Sequence, residues 1–339
     1  MPKILGDRDA EAEEPLSKDQ VLKICRYLLH SGEAGVLDGL EHFEWLVFTS
    51  AASNMRFGTN DDNSVVARIE GPPYWQNPRE SVAIAQLWKQ QGVPVVEYLP
   101  MNSAPDSPMV MYVDGVVPIL FSKYISPEGA DENLDYEQAG RTVGQVHSVT
   151  PPADMRAFEP LAWPRAALLK SGLIGRLPIS PEERQQLRTM LAAAEKISQK
   201  HFGPKATARC APNDLTTAHG EINPRNFRNA VLLDPFSAGV TSKAAADAYD
   251  AVRILHGETH FTGREGTLDL FDEGHYQTSG RHVDPDLMLE LEPVAAAVAI
   301  AIQFVYGHFD EERLAEGRYR LLNPNLHDKW VSHLDVDRG

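Results

Sequence analysis

The alternation of apolar and polar positions divides the chain into a strand-rich first part and a helix-rich remainder. Residues 1–20 are polar and acidic and read as a loose extension. Apolar residues then recur at helical spacing at Val21, Ile24, Cys25, Tyr27, Leu28 and Leu29. Short β-branched or aromatic runs follow at Glu44–Phe48, Met55–Gly58 and Ser64–Ile69, with a turn by composition at Thr59–Asn63. Asn77–Gln91 predicts a helix with Pro78 in its first turn, stopped by Gly92-Val93-Pro94. Val110–Val113 and Val116–Phe121 flank Asp114-Gly115, a strong hairpin signal. Beyond Ile125 the pattern changes to long helical stretches at Tyr136–His147, Pro181–His201 and Asp284–Phe309, with a proline-bearing, loop-rich segment at 152–180. This order predicts an α+β protein of two lobes. Residues 1–39 form an extension and helix, 40–125 a small antiparallel-sheet lobe, and 126–339 a larger, mainly helical lobe.

Composition narrows the function classes. The 339 residues carry 42% hydrophobic and 24% charged side chains, ordinary for a folded chain. A net charge of −16 opposes binding to nucleic-acid backbones and anionic membranes. It would attract a cationic substrate, although acidic surfaces also serve solubility alone. Cys25 and Cys210 lie far apart without metal-knuckle spacing, which fits a reducing cytoplasm. The acidic N-terminus lacks the apolar segment of a signal peptide. The apolar run from Val294 is expected to fall short of the ~20 residues of a membrane span and to form a buried core helix.

The candidate chemistry sits between Leu215 and Phe236. His219, Glu221 and Asn226 share one short loop that Pro224 keeps out of a helix by restricting Asn223, and Asp234 ends the next apolar run, Val231-Leu232-Leu233. Phosphoryl transfer uses this set of groups: one carboxylate orients or deprotonates an acceptor hydroxyl, while a carboxamide and a second carboxylate offer hard oxygen ligands to Mg²⁺.

On these residues the stretch resembles the HGDxxxxN motif of the aminoglycoside phosphotransferase and choline kinase group, a protein-kinase-like family. Asp234-Pro235 adds some fructosamine kinase-like character. The resemblance implies Glu221 as the catalytic carboxylate, Asn226 and Asp234 as metal ligands, and ATP or GTP with Mg²⁺ as cofactors. The implied partner is a small-molecule hydroxyl acceptor resembling an aminoglycoside, a sugar or an amino alcohol. In the small lobe it implies a phosphate-covering loop at Ser50–Asn54, with Ser53 and Asn54 near the nucleotide. It further implies Arg68 as the phosphate cation paired with Glu80, and Lys123 within the 121–125 hinge. His219 would brace the loop, as would an Asp of Asp247-Ala-Tyr-Asp250. Glu258–Tyr276 falls where acceptors bind, and a solvated loop explains its charges equally well. His256-Gly-Glu-Thr-His260 misses the zinc-protease spacing by one position.

Three features depart from the motif. Glu221 stands where the family has Asp, Arg68 where it has Lys, and only eight positions separate Asn226 from Asp234, which requires a tight turn at Arg228-Asn229-Ala230. The alternative to an active kinase is therefore a catalytically silent or attenuated kinase-like nucleotide- or ligand-binding protein.

Overall fold

The structure, a computed structural model, describes residues 16–48, 52–70, 78–102, 107–114, 117–126, 135–170, 172–223, 226–228, 230–258, 266–307 and 310–323. Helix α1 (Lys18–Ser31) starts in a capping box. The Ser17 hydroxyl accepts from Gln20 N, and the Gln20 side chain accepts from Ser17 N. Strands β1 (Phe43–Phe48), β2 (Ala52–Phe57) and β3 (Val65–Glu70) follow as an antiparallel meander. Helix α2 (Pro78–Gln90) precedes β4 (Tyr98–Leu99), β5 (Val110–Val113) and β6 (Val117–Lys123). The six strands form one sheet in the order β1-β2-β3-β6; beyond it, β5 pairs with the first half of β6 and β4 with its second half. Asp114 turns the β5–β6 connection at a φ of 53°, and residues 115 and 116 lie outside the described residues.

The two-residue period of the strands gives this sheet two different faces. Met55, Phe57, Ala67, Ile69, Ile119 and Phe121 pack with the buried stripe of α1, Val21, Ile24, Cys25 and Leu28. The intervening positions Asn54, Val66, Arg68, Leu120 and Ser122 line a cleft against the larger lobe.

The larger lobe begins with α3 (Tyr136–Val146), capped by the Asp135 side chain. The segment at 152–180 is more ordered than its prolines suggested. It contains α4 (Ala162–Arg165), a π-helical turn at Ala166–Lys170 and α5 (Leu173–Arg176). Pro164 is tolerated because the first turn of a helix has no intrahelical partner for its N–H groups, and Leu161, Ala167, Leu168 and Leu173 are buried there. Next come α6 (Pro181–His201), α7 (Pro204–Thr207), β7 (Leu215–Ala218), β8 (Phe227–Arg228), β9 (Val231–Leu232) and β10 (Gly239–Ser242). Helices α8 (Lys243–Glu258), α9 (Thr267–Ser279), α10 (Pro285–Tyr306) and α11 (Glu311–Leu322) complete the lobe.

Helix α10 is the buried core helix that was expected, but it corrects the expectation about its length. It starts upstream of the apolar run, and its 22 residues are long and apolar enough to cross a membrane by length and composition. Within the fold, 61% of its most apolar window is buried, packed against α6, α8 and α11, so it serves as the core helix of this lobe.

Helices α3 and α9 approach at backbone distance. A Cβ on Gly140 would overlap the Phe271 carbonyl, and one on Gly274 would overlap the Glu137 carbonyl. Backbone cannot yield as a flexible side chain can. Gly140→Ala or Gly274→Ala is therefore expected to lower unfolding free energy by about 1–3 kcal/mol, as overpacked cores do. Urea unfolding measures this, and an unchanged midpoint for both variants would contradict the close helix contact.

Candidate active site

Strand β7 pairs antiparallel with β10 and delivers the chain to His219. One carboxylate then sets the loop. Asp250, on α8, accepts from His219 N (3.0 Å) and Gly220 N (2.9 Å), and from His147 Nε2 at 2.9 Å. Gly220 takes a φ of 85°, and a Cβ there would overlap the Phe158 ring, so this position requires glycine on two counts. The buried His219 ring donates from Nε2 to the Leu233 carbonyl (2.7 Å) and accepts at Nδ1 from Glu221 N (3.2 Å). Burial holds its pKa below the ordinary value, consistent with a neutral ring that splices the loop to the following hairpin. Trp88 of α2 stacks on it at 5.8 Å and donates to Thr217 Oγ1. His219 and Asp250 therefore brace the loop, as the motif implied.

The hairpin β8–β9 brings Asn226 and Asp234 to the same cleft. Ala230, in the expected tight turn, is left-handed with a φ of 65°; Asn229 lies outside the described residues, as do 224 and 225. Asn226 Nδ2 donates to the Glu221 carbonyl (2.7 Å), which leaves Oδ1 as the remaining acceptor of the carboxamide. Asp234 is also left-handed, with a φ of 58°, a conformation Asp tolerates better than most residues. Its Oδ2 accepts from Arg68 Nη1 at 3.0 Å, while its Oδ1 is buried without a hydrogen-bond partner. An orphaned carboxylate oxygen beside a carboxamide oxygen is a hard-donor set that fits Mg²⁺.

Arg68 lies over the Phe236 ring at 3.9 Å and donates to Glu70 and Asp234. The expected Arg68–Glu80 pair does not form. Glu70 lies two positions along the same strand, hence on the same face, whereas the half-exposed Glu80 opens α2 and lies 3.6 Å from Arg156. The expectation for Ser53 and Asn54 also changes: both belong to β2 and not to a loop. Alternation turns Asn54 to the cleft and Ser53 to the buried α1 side. Residues 50 and 51 of the expected phosphate-covering loop lie outside the described residues. Lys123 lines the cleft, but its ammonium pairs with Glu97 at 3.0 Å. Glu221 does not line that cleft; its Oε1 accepts from Ser237 Oγ at 2.5 Å.

The cleft measures about 450 Å³ and is walled by Val66, Val96, Leu120 and Leu233 toward residues 122–125, with Arg68, Asn226 and Asp234 among its polar lining. No family model and no curated protein matches the chain. Solved structures do. A spectinomycin phosphotransferase, APH(9)-Ia, in complex with ADP and spectinomycin superposes with a TM-score of 0.59 at 12% identity, over 91% of this chain and 95% of its own. A microcompartment-associated aminopropanol kinase gives 0.58 at 13%, over 91% and 98%. The choline kinase LicA from Streptococcus pneumoniae gives 0.55 at 13%, over 89% and 99%. This chain has their fold. At such identities the likeness concerns architecture, and the chemistry must be argued from the residues.

Within this kinase fold, Glu221 is electrostatically unusual. Burial and the nearby Asp234 carboxylate push its pKa up to about 7, against the Ser237 hydrogen bond and the Arg253 and Arg68 guanidinium groups. Sequence reasoning missed Glu70 and Ser237. The first was legible, because a residue two along a strand from Arg68 shares its face. The second had no sequence signal, since Ser237 reaches Glu221 only through the turn after Asp234.

A raised carboxylate pKa sets the sign of a stability effect. Between about pH 4.5 and 7 the folded chain holds a proton on Glu221 that the unfolded chain has released, so stability falls as pH rises through this window. Above pH 7 the cost is fully present. Glu221→Gln is expected to melt higher than the native chain at pH 8 and equally at pH 4. Equal melting at both pH values would contradict the raised pKa.

Proposed function

We propose that this chain is a metal-dependent small-molecule phosphotransferase that moves the γ-phosphate of ATP or GTP to a hydroxyl of a small acceptor. The observation that carries this reading is the buried, unpartnered Asp234 Oδ1 beside Asn226 on the wall of a nucleotide-sized cleft. Residues 40–125 would form the nucleotide-covering lobe, and 126–339 the lobe bearing the catalytic loop and the acceptor site. The apolar walls suit a purine base, with residues 122–125 as its hinge. Free cysteines Cys25 and Cys210 support a reducing cytoplasm as its setting.

Each residue has a physical task in this reading. Arg68, held over the Phe236 ring, contacts the phosphates. Asn226 and Asp234 hold Mg²⁺, which when bound supplies the positive charge that offsets the phosphates and the developing transition-state charge. Glu221, held by Ser237, accepts the proton of the acceptor hydroxyl; a base with a pKa of about 7 is well matched to that task near neutrality. Asp250 keeps the loop geometry. Neighbours named for spectinomycin, aminopropanol and choline support a small acceptor, and the net charge of −16 supports a cationic one.

Electrostatics makes metal dependence a consequence of the site. Arg68 is the guanidinium that bonds both Glu70 and Asp234, so an incoming polyphosphate meets a cation already neutralised by two carboxylates, with Glu221 close behind. Nucleotide binding is expected to require a divalent cation and to weaken at least 100-fold in Asp234→Ala, as isothermal titration would measure. Glu221→Gln should retain metal-dependent binding and lose about 10²–10⁴-fold in turnover. The screen is ADP or GDP release with Mg²⁺ across diverse hydroxyl-bearing acceptors. Absence of metal-dependent nucleotide binding would sink the proposal.

One observation favours the silent-module alternative: the longer Glu221 carboxylate is already engaged by Ser237. Glu221→Asp separates the readings. A large gain in turnover marks an attenuated enzyme, and no turnover in either form, with binding intact, marks a binding module.

A further inference from the structure

A second cluster of ligand-type atoms lies on the far side of Asp250 from the catalytic loop. His147 Nδ1, His275 Nε2 and Asp247 Oδ1 form a triangle with sides of 3.0, 3.1 and 2.9 Å. His147 and His275 are completely buried, and Asp247 is 3% exposed. His147 caps the C-terminus of α3, Asp247 lies on α8 and His275 on α9, so tertiary packing alone brings them together.

The outer partners decide which ring nitrogens carry hydrogen. His275 Nδ1 faces the Arg281 carbonyl at 3.0 Å, an acceptor only, and the Ser279 hydroxyl at 3.1 Å, which itself donates to that carbonyl at 3.2 Å; with Nδ1–H directed at the carbonyl, a neutral ring presents a lone pair at Nε2. His147 Nε2 faces the Asp250 carboxylate at 2.9 Å, so a neutral ring presents its lone pair at Nδ1. Both lone pairs then converge with Asp247 Oδ1. A proton can lie along only one edge of this triangle, or be split over two, and at least one edge stays lone pair against lone pair. One cation above the triangle satisfies all three.

We propose that His147, Asp247 and His275 form a binding site for one divalent transition-metal ion of the zinc class, separate from the Mg²⁺ pair. A zinc ion takes imidazole nitrogen and carboxylate oxygen at about 2.0–2.2 Å. Ideal tetrahedral placement separates such donors by roughly 3.3 Å, so the triangle opens by only a few tenths of an ångström. The surrounding groups are those that metal sites use. Asp250 and the Arg281 carbonyl orient the two rings, and the Arg281 guanidinium buttresses Asp247 with bonds of 2.7 and 2.9 Å. Asp247 and Arg281 also line a surface cavity of about 320 Å³, which brings solvent to the outer side of the Asp247 carboxylate, while the two imidazoles lie beneath it, fully buried. Charge agrees. Asp247 and Asp250 are buried carboxylates that a dication neutralises, whereas the Arg281 guanidinium is part-exposed to water.

The metal replaces a proton. Without it, the hydrogen bonds and charges of Asp247 and Asp250 outweigh burial and push the His147 pKa up to about 9. Binding at neutral pH therefore releases one proton from His147 Nδ1 as the metal bond forms. In that bound state, the metal fixes the catalytic loop through His147, Asp250 and the amides of His219 and Gly220.

The test uses the full chain, stripped with chelator and titrated with Co²⁺ and then Zn²⁺. One equivalent of Co²⁺ should bind with the intense visible absorption of a low-coordinate nitrogen–oxygen site, and Zn²⁺ should displace it and raise the melting temperature. Apparent affinity should rise about tenfold per pH unit below about pH 9, because one proton leaves. His275→Gln should lose the absorption and weaken binding at least tenfold, while Asp234→Asn should keep both. The wild-type spectrum and pH slope stand even if His275→Gln fails to fold. A folded chain that binds no stoichiometric Co²⁺ or Zn²⁺, or that binds them equally in folded His275→Gln, overturns the proposal; the cluster then holds a proton only. Mg²⁺-dependent nucleotide binding is a separate measurement, so this proposal and the phosphotransferase reading fail independently.

Discussion

The Asp250 carboxylate is the point on which the site depends. One side chain accepts two consecutive backbone amides, His219 and Gly220, and a buried imidazole, His147. Backbone N–H groups buried at a tight turn need partners, and a charged acceptor satisfies them more strongly than a neutral one. Because Asp250 lies on α8, which packs against the core helix α10, the loop inherits the rigidity of the large lobe. Everything that follows in the chain is then referenced to that loop: His219 ties to the Leu233 carbonyl, Asn226 to the Glu221 carbonyl, and Ser237 to the Glu221 carboxylate.

The cleft on the other side of this loop is organised by one guanidinium. Arg68 reaches across from the sheet to Asp234 and joins the two lobes by an ion pair at 3.0 Å, with Glu70 on its other edge. Such a pair is costly to desolvate and stabilises only when its geometry is good, and stacking on Phe236 contributes part of that geometry. The arrangement also keeps an acidic site neutral enough to fold, since Glu70, Asp234 and Glu221 crowd the same corner. Burial, with the Asp234 charge as a second and separate cause, raises the pKa of Glu70 and Glu221.

Much of the fold was legible along the chain. Strands β1, β2, β3, β5 and β6 announced themselves by β-branched or aromatic content, the β5–β6 turn by Asp-Gly, and helices α1, α2, α3, α6 and α10 by their periodicity or end signals, whereas the two-residue β4 was not anticipated. Their bounds agree within a few residues. The misreadings share one cause. Prolines at 152–180 suggested loop, but a first helical turn does not need the N–H that proline lacks, and burial of Leu161, Leu168 and Leu173 ordered the segment. Glu80 was assigned to Arg68 by its place in a helix, whereas strand geometry put Glu70 nearer. Ser53 failed for the same kind of reason, because the period of two sends it to the face opposite Asn54.

Local chemistry was therefore determined by sequence. Glycine at 220, hard oxygen donors at 226 and 234, and carboxylates at 247 and 250 are properties of residue types at short spacing. What only the tertiary structure decided is which of these groups meet. His147 at the C-terminal cap of α3 meets Asp247 of α8 and His275 of α9, Arg68 and Asp234 come from two lobes, and Ser237 reaches Glu221 through a turn. Convergence of this kind depends on helix crossings and on glycines such as Gly140 and Gly274 that let backbones approach. The geometry of packing is a property of pairs of elements, and no single segment of the chain encodes it.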